Sequence, residues 1–185
     1  MPTLEDGKPK PKGTLDFLSS PGFLAAGNRI YAVGDIHGQA DKLRALHSTI
    51  AEDLNRRPIA SARIVYLGDY IDWGPDMIGD GAAATDWLHS GGLETLASWG
   101  IAPDAPRGCW ILQIPPAHLA FLRGLTLRHR AGGYLFVHAG IRPKVKSTDQ
   151  ARQDLLGIRE PFLSTERNLG RVVVHGHTVS GAPVI

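Results

Sequence analysis

The segment RIYAVGDIHGQ, residues 29–39, joins a short apolar run to a turn that carries an aspartate and a histidine between glycines. The run at 29–33 is rich in β-branched and aromatic residues and nearly continuous in apolar character, which is typical of a strand buried on both faces. Three similar runs follow at 63–67, 134–137 and 171–174. Each run leads directly into Gly, His or Asp. The repeated pattern predicts a sheet whose strands end in polar turns.

The residues between the first two predicted strands have the periodicity of an amphipathic helix. Over 39–57 the apolar side chains fall on one helical face, and Pro58 closes the segment. The residues on that face are Leu43, Leu46, Ile50 and Leu54. A strand, a helix and a strand in this order predict a βαβ unit. Further helical segments are predicted at 117–127 and 148–156, with shorter patches at 85–89 and 93–99.

The composition favours one soluble α/β domain at 14–185, preceded by a disordered tail at 1–13 that has no signal-like apolar stretch. Hydrophobic residues make up 43% of the 185 residues, enough for one core. The net charge of +2 is too small to indicate nucleic acid, and no apolar run approaches the roughly 18 residues of a membrane span. The lone Cys109 excludes an intramolecular disulfide and fits a cytoplasmic location. The oligomeric state is left open.

The turns after the four predicted strands contain the residues best suited to metal binding or catalysis. They read GDIHG at 34–38, GDYID at 68–72, HAG at 138–140 and HGHT at 175–178. Ligands of open α/β sheets bind beyond the carboxyl ends of the strands, so all four turns are predicted to meet at one edge. Carboxylates and imidazoles without a thiolate suit Mn, Fe or Zn and tolerate Mg. Two such ions can clamp a phosphoryl group and activate water.

Other polar residues have simpler interpretations. A single Asp or His after a strand is usually structural, and only the agreement of four strand ends favours a metal site. His175 is either a group that orients a ligand or a packed side chain. The remaining histidines are interpreted as surface or core residues: His47, His89, His118 and His129. The loose dinucleotide-like pattern at 79–84 follows no strand, and Cys109 has no histidine at a recognisable spacing.

The complete series of motifs resembles a known family. GDIHGQ at 34–39, GDYIDWGPD at 68–76, VHAG at 137–140 and GHT at 176–178 are similar, in the same order, to the phosphoprotein phosphatase branch of the calcineurin-like metallophosphoesterases. Bacterial members of that branch include serine/threonine protein phosphatases and symmetrical diadenosine tetraphosphatases. The resemblance implies an α/β metallophosphoesterase sandwich with two divalent metal ions, Mn²⁺ being preferred and Fe, Zn or Mg being alternatives.

By this resemblance, five residues are metal ligands. Asp35 and His37 are assigned to the first metal and Asp69 bridges the two metals. His138 and His177 are assigned to the second metal.

Two further residues receive roles from the resemblance. Asp72 is expected to orient the catalytic histidine of the family. The segment DLLGIREPFL at 154–163 resembles the family stretch that supplies a phosphate-binding arginine, which assigns that role to Arg159. The alternative is that Arg159 is an ordinary surface arginine.

The chain also departs from the family pattern. It contains no GNHE motif, whose Asn binds the second metal and whose His protonates the leaving group. Roughly 30 residues, about one βαβ crossover, are missing by comparison near 78–81. Trp73 replaces a phosphate-binding arginine, and the chain ends soon after GHT. The sequence therefore predicts an internally deleted, C-terminally short domain with a weakened second metal site.

These observations lead to one functional prediction and two alternatives. The chain is predicted to be a metallophosphoesterase of the serine/threonine phosphatase type, which hydrolyses phosphate monoesters by two-metal-activated hydroxide. Its partner would be a phosphorylated protein or a small phosphoester. The first alternative is a dinucleoside polyphosphate hydrolase. The second is a non-catalytic metal-binding remnant, because the GNHE motif is absent and Trp73 stands where an arginine is expected.

Overall fold

The computed structural model describes residues 22–71 and 88–179, without the side chains of residues 89 and 90. The disordered tail predicted at 1–13, Asp72, Trp73 and the proposed deletion near 78–81 lie outside these residues, so those expectations stay predictions. Within the described part of the chain, helices and strands alternate around small sheets, and the fold is α/β as predicted. No described helix combines the length and apolar character needed to cross a bilayer.

The first unit is the predicted βαβ element. Strand β1 (Asn28–Val33) pairs in parallel with β2 (Ser61–Tyr66), and α1 (Ala40–Arg56) connects them. Its core is Val33, Ile36 and Ile50, against which Leu43 and Leu54 pack. Leu46, predicted on the buried face of α1, is instead 38% exposed, because the described residues of the sheet beneath the helix form two strands and leave the flank of its apolar stripe uncovered.

Short helices follow from residue 88 onward, where the described part of the chain resumes. A π-helical turn (Leu88–Gly92) runs into α2 (Leu93–Ser98), and α3 (Arg107–Gln113) and α4 (Pro116–Gly124) come next. They enclose a separate core of Leu96, Ile101, Trp110 and Ile114. Helix α3 was not predicted, since its sequence RGCWILQ is too short for a clear periodicity.

The second sheet has the order β3-β4-β5. Strand β4 (Tyr134–Val137) pairs antiparallel with β3 (Arg128–Ala131) and parallel with β5 (Val172–Val174). Of the four predicted strands, two form the first sheet as β1 and β2, and the other two lie in the second sheet as β4 and β5. Strand β3 was missed because its sequence, RHRA, carries no apolar run.

Helix α5 (Arg152–Gly157) anchors the turn that follows β4. The Ala139 amide donates to the Leu155 carbonyl at 3.0 Å, and both residues belong to the largest described core cluster. The Arg142 guanidinium also donates to both carboxylate oxygens of Asp154, at 2.8 and 2.5 Å. The helix is shorter than the predicted 148–156 because Ala151, its N-cap residue, still has extended backbone.

A buried carboxylate fixes α1 on β1. Asp53, only 5% exposed, accepts hydrogen bonds from the Tyr31 hydroxyl at 2.6 Å and from Arg57 Nε at 2.8 Å. Arg29 Nη1 lies 3.2 Å from the same carboxylate and also donates to the Arg57 carbonyl. The Tyr31 hydroxyl, followed by the guanidinium groups, holds the pKa of Asp53 below its ordinary value. Folding therefore favours the charged form of Asp53.

We expect Asp53→Asn to lower the melting temperature by several degrees at pH 7 and by progressively less in acid. A carboxylate with a depressed folded pKa stabilises above its unfolded pKa of about 3.9, and this contribution disappears as pH falls through the folded value. Thermal unfolding between pH 7 and pH 3 measures the difference. Asp41→Asn is the control, since the Asp41 side chain is 95% exposed and its ion pair contributes little. A constant difference across this pH range would contradict the assignment.

Candidate metal centre

The turns after β1 and β2 are tied together through their backbones. The amides of Ile36 and His37 both donate to the Asp69 carbonyl, at 3.0 and 2.7 Å, and the Gly38 amide donates to the Tyr70 carbonyl at 3.0 Å. These bonds extend the pairing of β1 and β2 beyond the last residues of the strands. They hold GDIHG and GDYID side by side, with the side chains of both motifs available at the same edge.

A second pair of turns approaches from the other sheet. The Gly176 amide donates to the His138 carbonyl at 2.8 Å, which joins the turns after β4 and β5. The His177 amide then crosses to the first sheet and donates to Asp35 Oδ2 at 2.8 Å. The rings of His138 and His177 are 5.0 Å apart between centroids. All four turns thus meet at one place, although their strands belong to two sheets.

The five predicted ligand residues form two overlapping clusters. The first contains Asp35, His37 and Asp69, and the second contains Asp69, His138 and His177; within each, the potential ligand atoms lie within 4.8 Å of one another. Asp69 Oδ2 is 3.7 Å from His37 Nε2, while its Oδ1 is 3.5 Å from His138 Nε2. The two oxygens of one carboxylate therefore face different clusters, as a bridging ligand requires.

The polar atoms in this centre fit divalent cations. Asp35 Oδ1 and His138 Nδ1 are buried without a hydrogen-bond partner among the described residues. They lie 3.6 Å apart, too far for a hydrogen bond. Buried polar atoms without partners are rare in folded proteins and call for an explanation such as an ion. Oxygen and imidazole donors without a thiolate suit Mn, Fe or Zn.

Burial shapes the ionisation of the centre. It raises the pKa of Asp69, an effect that neighbouring Asp35 reinforces and the surrounding histidines oppose. Burial also lowers the pKa of His177, with help from the nearby His138 and Arg159. The neutral imidazole is the form that binds a metal, so the surroundings of His177 favour its ligand state.

Three of the five residues have an unusual backbone conformation. His37, Asp69 and His177 have φ values of 45°, 36° and 62°, in the left-handed region. Asp and His enter this region more readily than most residues, yet it is still sparsely populated and clusters at functional sites. In this conformation the side chains of all three residues lie in the centre, although each residue follows the end of its strand by only three or four positions.

Two glycines allow the ligands to approach each other. A Cβ atom on Gly176 would lie 2.5 Å from Asp35 Oδ1, and one on Gly68 would lie 2.5 Å from His138 Nδ1. Gly68 also has a φ of 144°, which an L-residue rarely adopts. By contrast, a Cβ on Gly34 would meet nothing within 4 Å. Gly68 and Gly176 are therefore sterically required, while Gly34 is not.

Arg159 lies beside the centre. Its Nη1 donates to the Thr178 hydroxyl at 2.8 Å, directly after His177 in the chain, and its guanidinium is exposed. The position suits the predicted contact with phosphate, and that role stays a prediction. Thr178 had no assigned role in the sequence interpretation. The sequence signal for Thr178 was its position directly after His177 in the HGHT motif.

The other predicted residues lie elsewhere or outside the description. His175 packs its ring against Phe162, with centroids 4.9 Å apart, which supports the packed alternative. His47 contacts the Tyr66 hydroxyl at 2.7 Å and His118 accepts from the Trp99 indole at 3.1 Å, as structural histidines do. Asp72 and the side chain of His89 are not among the described atoms.

We expect Asp69→Asn to reduce metal content more than His138→Ala, because Asp69 serves both clusters. After dialysis against Mn²⁺, elemental analysis of the unsubstituted chain should give about one ion rather than two, since the second cluster lacks the family Asn and ligand losses cost at least about tenfold in affinity. Asp149→Asn and His118→Ala, both at exposed positions away from the centre, should leave metal content unchanged. Equal losses in the Asp69 and His138 variants would show that Asp69 does not bridge.

A matched pair of glycine substitutions tests the packing of the centre. Gly176→Ala should weaken Mn²⁺ binding at least about tenfold, because the new methyl group displaces the Asp35 carboxylate. Gly34→Ala should change it less than about twofold. Titration calorimetry with Mn²⁺ measures both affinities, and circular dichroism establishes that both variants are folded. Similar affinities in the two variants would contradict the close contact between Gly176 and Asp35.

Comparison with known proteins gives two relatives. The chain is 33% identical over 126 residues to a symmetrical bis(5'-nucleosyl)-tetraphosphatase of Methylococcus capsulatus, covering 62% of this chain and 44% of the relative. It is 32% identical over 128 residues to the protein of the same name in Aromatoleum aromaticum, covering 62% of this chain and 45% of the relative. The chain thus spans less than half the length of these curated relatives.

Two other comparisons found nothing. No family model matches the chain, and no solved structure matches it. The name of the two curated relatives nevertheless matches one of the two bacterial enzyme types that the motif series resembles. They confirm the resemblance of this chain to the calcineurin-like phosphoesterases, in the form of the symmetrical bis(5'-nucleosyl)-tetraphosphatases.

Proposed function

We propose that the chain is a metal-dependent hydrolase of phosphoric anhydrides or esters. The observation that carries this proposal is the Asp69 carboxylate, whose two oxygens each face a separate set of ligands. Asp35 and His37 would complete one metal site, and His138 and His177 the other. When bound, two such ions supply an activated water and compensate the charge of a phosphoryl group.

The residues of the chain have distinct tasks in this proposal. The ligands of both sites fix where the phosphoryl group lies, because they converge from four turns that the backbone hydrogen bonds join. Arg159 would donate to a phosphoryl oxygen, and its contact with Thr178 sets the position of the guanidinium. Asp72, the last residue of the GDYID motif that contains Asp69, would orient a proton donor if the chain uses one.

The substrate that we favour is a dinucleoside polyphosphate. Both curated relatives are named as symmetrical bis(5'-nucleosyl)-tetraphosphatases. A chemical argument points the same way. When water adds to phosphorus and the P–O bond of an anhydride breaks, the electron pair leaves on a phosphate, whose last proton has a pKa of about 6. A serine alkoxide is far more basic and needs a proton as it leaves. The chain lacks the GNHE histidine that would give it.

Phosphate monoesters are the second candidate. The motif series resembles a branch that also contains serine/threonine phosphatases, and the two clusters together with Arg159 would bind a monoester phosphate as well as an internal one. Loss of a general acid typically costs 10²- to 10⁴-fold in rate. The loss should slow hydrolysis of a serine phosphate ester, whose alkoxide needs a proton as it leaves. It should slow hydrolysis of a nitrophenyl ester much less, because nitrophenolate is a stable leaving group without a proton.

We expect Mn²⁺-dependent hydrolysis of bis(5'-adenosyl) tetraphosphate and of nitrophenyl phosphate, at rates at least about 100-fold above that of a phosphoserine peptide. Initial rates from chromatography of nucleotides and from release of phosphate and nitrophenol measure the three reactions. Asp69→Asn should abolish all three hydrolysis reactions, while Asp149→Asn should leave their rates unchanged. Cleavage of the phosphopeptide at the rate of the tetraphosphate would overturn the substrate assignment. Bound metal without any turnover would identify the chain as a non-catalytic remnant.

A further inference from the structure

The buried ring of Phe162 packs against both turns that carry the residues of the second cluster. Its centroid lies 4.9 Å from that of the His175 ring, and the two rings are nearly perpendicular. The ring also lies directly against Gly140, where an added Cβ atom would come within 2.4 Å of Phe162 Cδ1. His175 precedes His177 by two residues, and Gly140 follows His138 by two. One side chain therefore contacts both turns immediately beside their predicted ligands.

The turns of the two clusters are joined by different means. In the first cluster, the amides of Ile36 and His37 both donate to the Asp69 carbonyl, so the backbone itself fixes how these turns lie. In the second cluster, the Gly176 amide donates to the His138 carbonyl at 2.8 Å. One hydrogen bond fixes one distance between two turns and leaves their relative rotation open. The geometry of the second cluster therefore depends on the side chains that pack against its turns.

Phe162 also anchors the segment that carries Arg159. Ile158 and Phe162 are 5% and 7% exposed and belong to the same core cluster, whereas Arg159 is exposed. The Leu163 amide donates to the Arg159 carbonyl at 3.0 Å, which closes the segment into a turn. Buried side chains thus hold this segment on both sides of the arginine that we assign to phosphate.

We propose that Phe162 is a positioning residue for the second metal cluster. The inference rests on the proposed function, because it concerns the second of the two ions. Buried side chains are closely packed and leave few voids, so the flat ring sets the separation of the two turns and thereby that of His138 and His177. Groups that orient metal ligands without touching the metal typically change the affinity 10- to 100-fold when they are removed.

Two substitutions disturb this packing from different elements. Phe162→Leu removes the flat ring but keeps an apolar side chain, and Gly140→Ala keeps the ring but places a methyl group against it. Each should weaken binding of the second Mn²⁺ ion about 10- to 100-fold and change the affinity for the first less than about twofold. In the double variant the smaller Leu leaves room for the methyl group. The combined loss should therefore be smaller than the product of the single losses.

Phe136→Leu is the matched control. Phe136 is 5% exposed, about as deeply buried as Phe162, and its ring packs on those of His129 and Tyr134. This substitution should lower the melting temperature about as much as Phe162→Leu does, because both remove a buried phenylalanine ring. It should leave the affinities for both ions unchanged. The comparison separates a general loss of stability from the positioning of ligands.

Titration calorimetry of the full chain with Mn²⁺, carried to concentrations that fill both clusters, measures the two affinities. Electron paramagnetic resonance gives an independent readout, since two Mn²⁺ ions bridged by a carboxylate are magnetically coupled and isolated ions are not. At concentrations that give a coupled spectrum in the unsubstituted chain, Phe162→Leu should give that of isolated ions and Phe136→Leu should keep the coupling. Circular dichroism establishes that each variant is folded, and Gly140→Ala tests the contact with the ring still present.

The outcomes separate this inference from the proposed function. Unchanged affinity for the second ion in Phe162→Leu and Gly140→Ala would overturn the inference and leave the proposed function standing. An equal loss in Phe136→Leu would also overturn it, because the effect would then be one of general stability. An unsubstituted chain that takes up no second ion would overturn both. Selective loss of the second ion, in a chain that hydrolyses nothing, would support the positioning role and reject the enzyme.

Discussion

The arrangement of this molecule depends on the carboxylate of Asp69. One oxygen lies 3.7 Å from His37 Nε2 and the other 3.5 Å from His138 Nε2, so a single side chain joins two polar clusters that come from two different sheets. Its backbone carbonyl is engaged as well, accepting hydrogen bonds from two amides of the first turn. Both the side chain and the backbone carbonyl of Asp69 therefore take part in joining the turns. The close approach of Gly68 to His138 and the left-handed φ of Asp69 itself accompany this crowded position.

The centre concentrates features that are unfavourable without a cation. Half-buried carboxylates lie near one another, two buried atoms lack hydrogen-bond partners among the described residues, and three of the clustered residues have left-handed backbone. Buried polar atoms of this kind cost free energy unless something compensates them. The apolar clusters behind the turns, such as Leu135, Val137 and Ala139, provide the rigidity that keeps these groups in place. On the proposed function, a cation bound at this centre would therefore also stabilise the folded chain.

The sequence predicted the chemistry of the site better than the architecture. Four strands could be identified because their apolar runs report burial on both faces, and the turns after them contained all five clustered residues. Apolar periodicity does not reveal which strands pair, so the pairing of β1 with β2 and of β4 with β5 could not be predicted from the runs themselves. Strand β3 was hidden because its sequence, RHRA, carries no apolar run, and its arginines contact the polar Ser147. Leu46 shows the converse limit, since an apolar pattern cannot indicate how wide the opposing sheet is.

The two clusters differ in how far apart their residues lie along the chain. Asp35, His37 and Asp69 all belong to the βαβ unit, whereas His138 and His177 come from the second sheet. Contacts between residues near in sequence form faster, because closing a short loop costs less entropy than closing a long one. We therefore expect the first cluster to assemble before the second, which forms only when the two sheets meet. Asp69, which belongs to both clusters, would then be the residue onto which the second sheet docks.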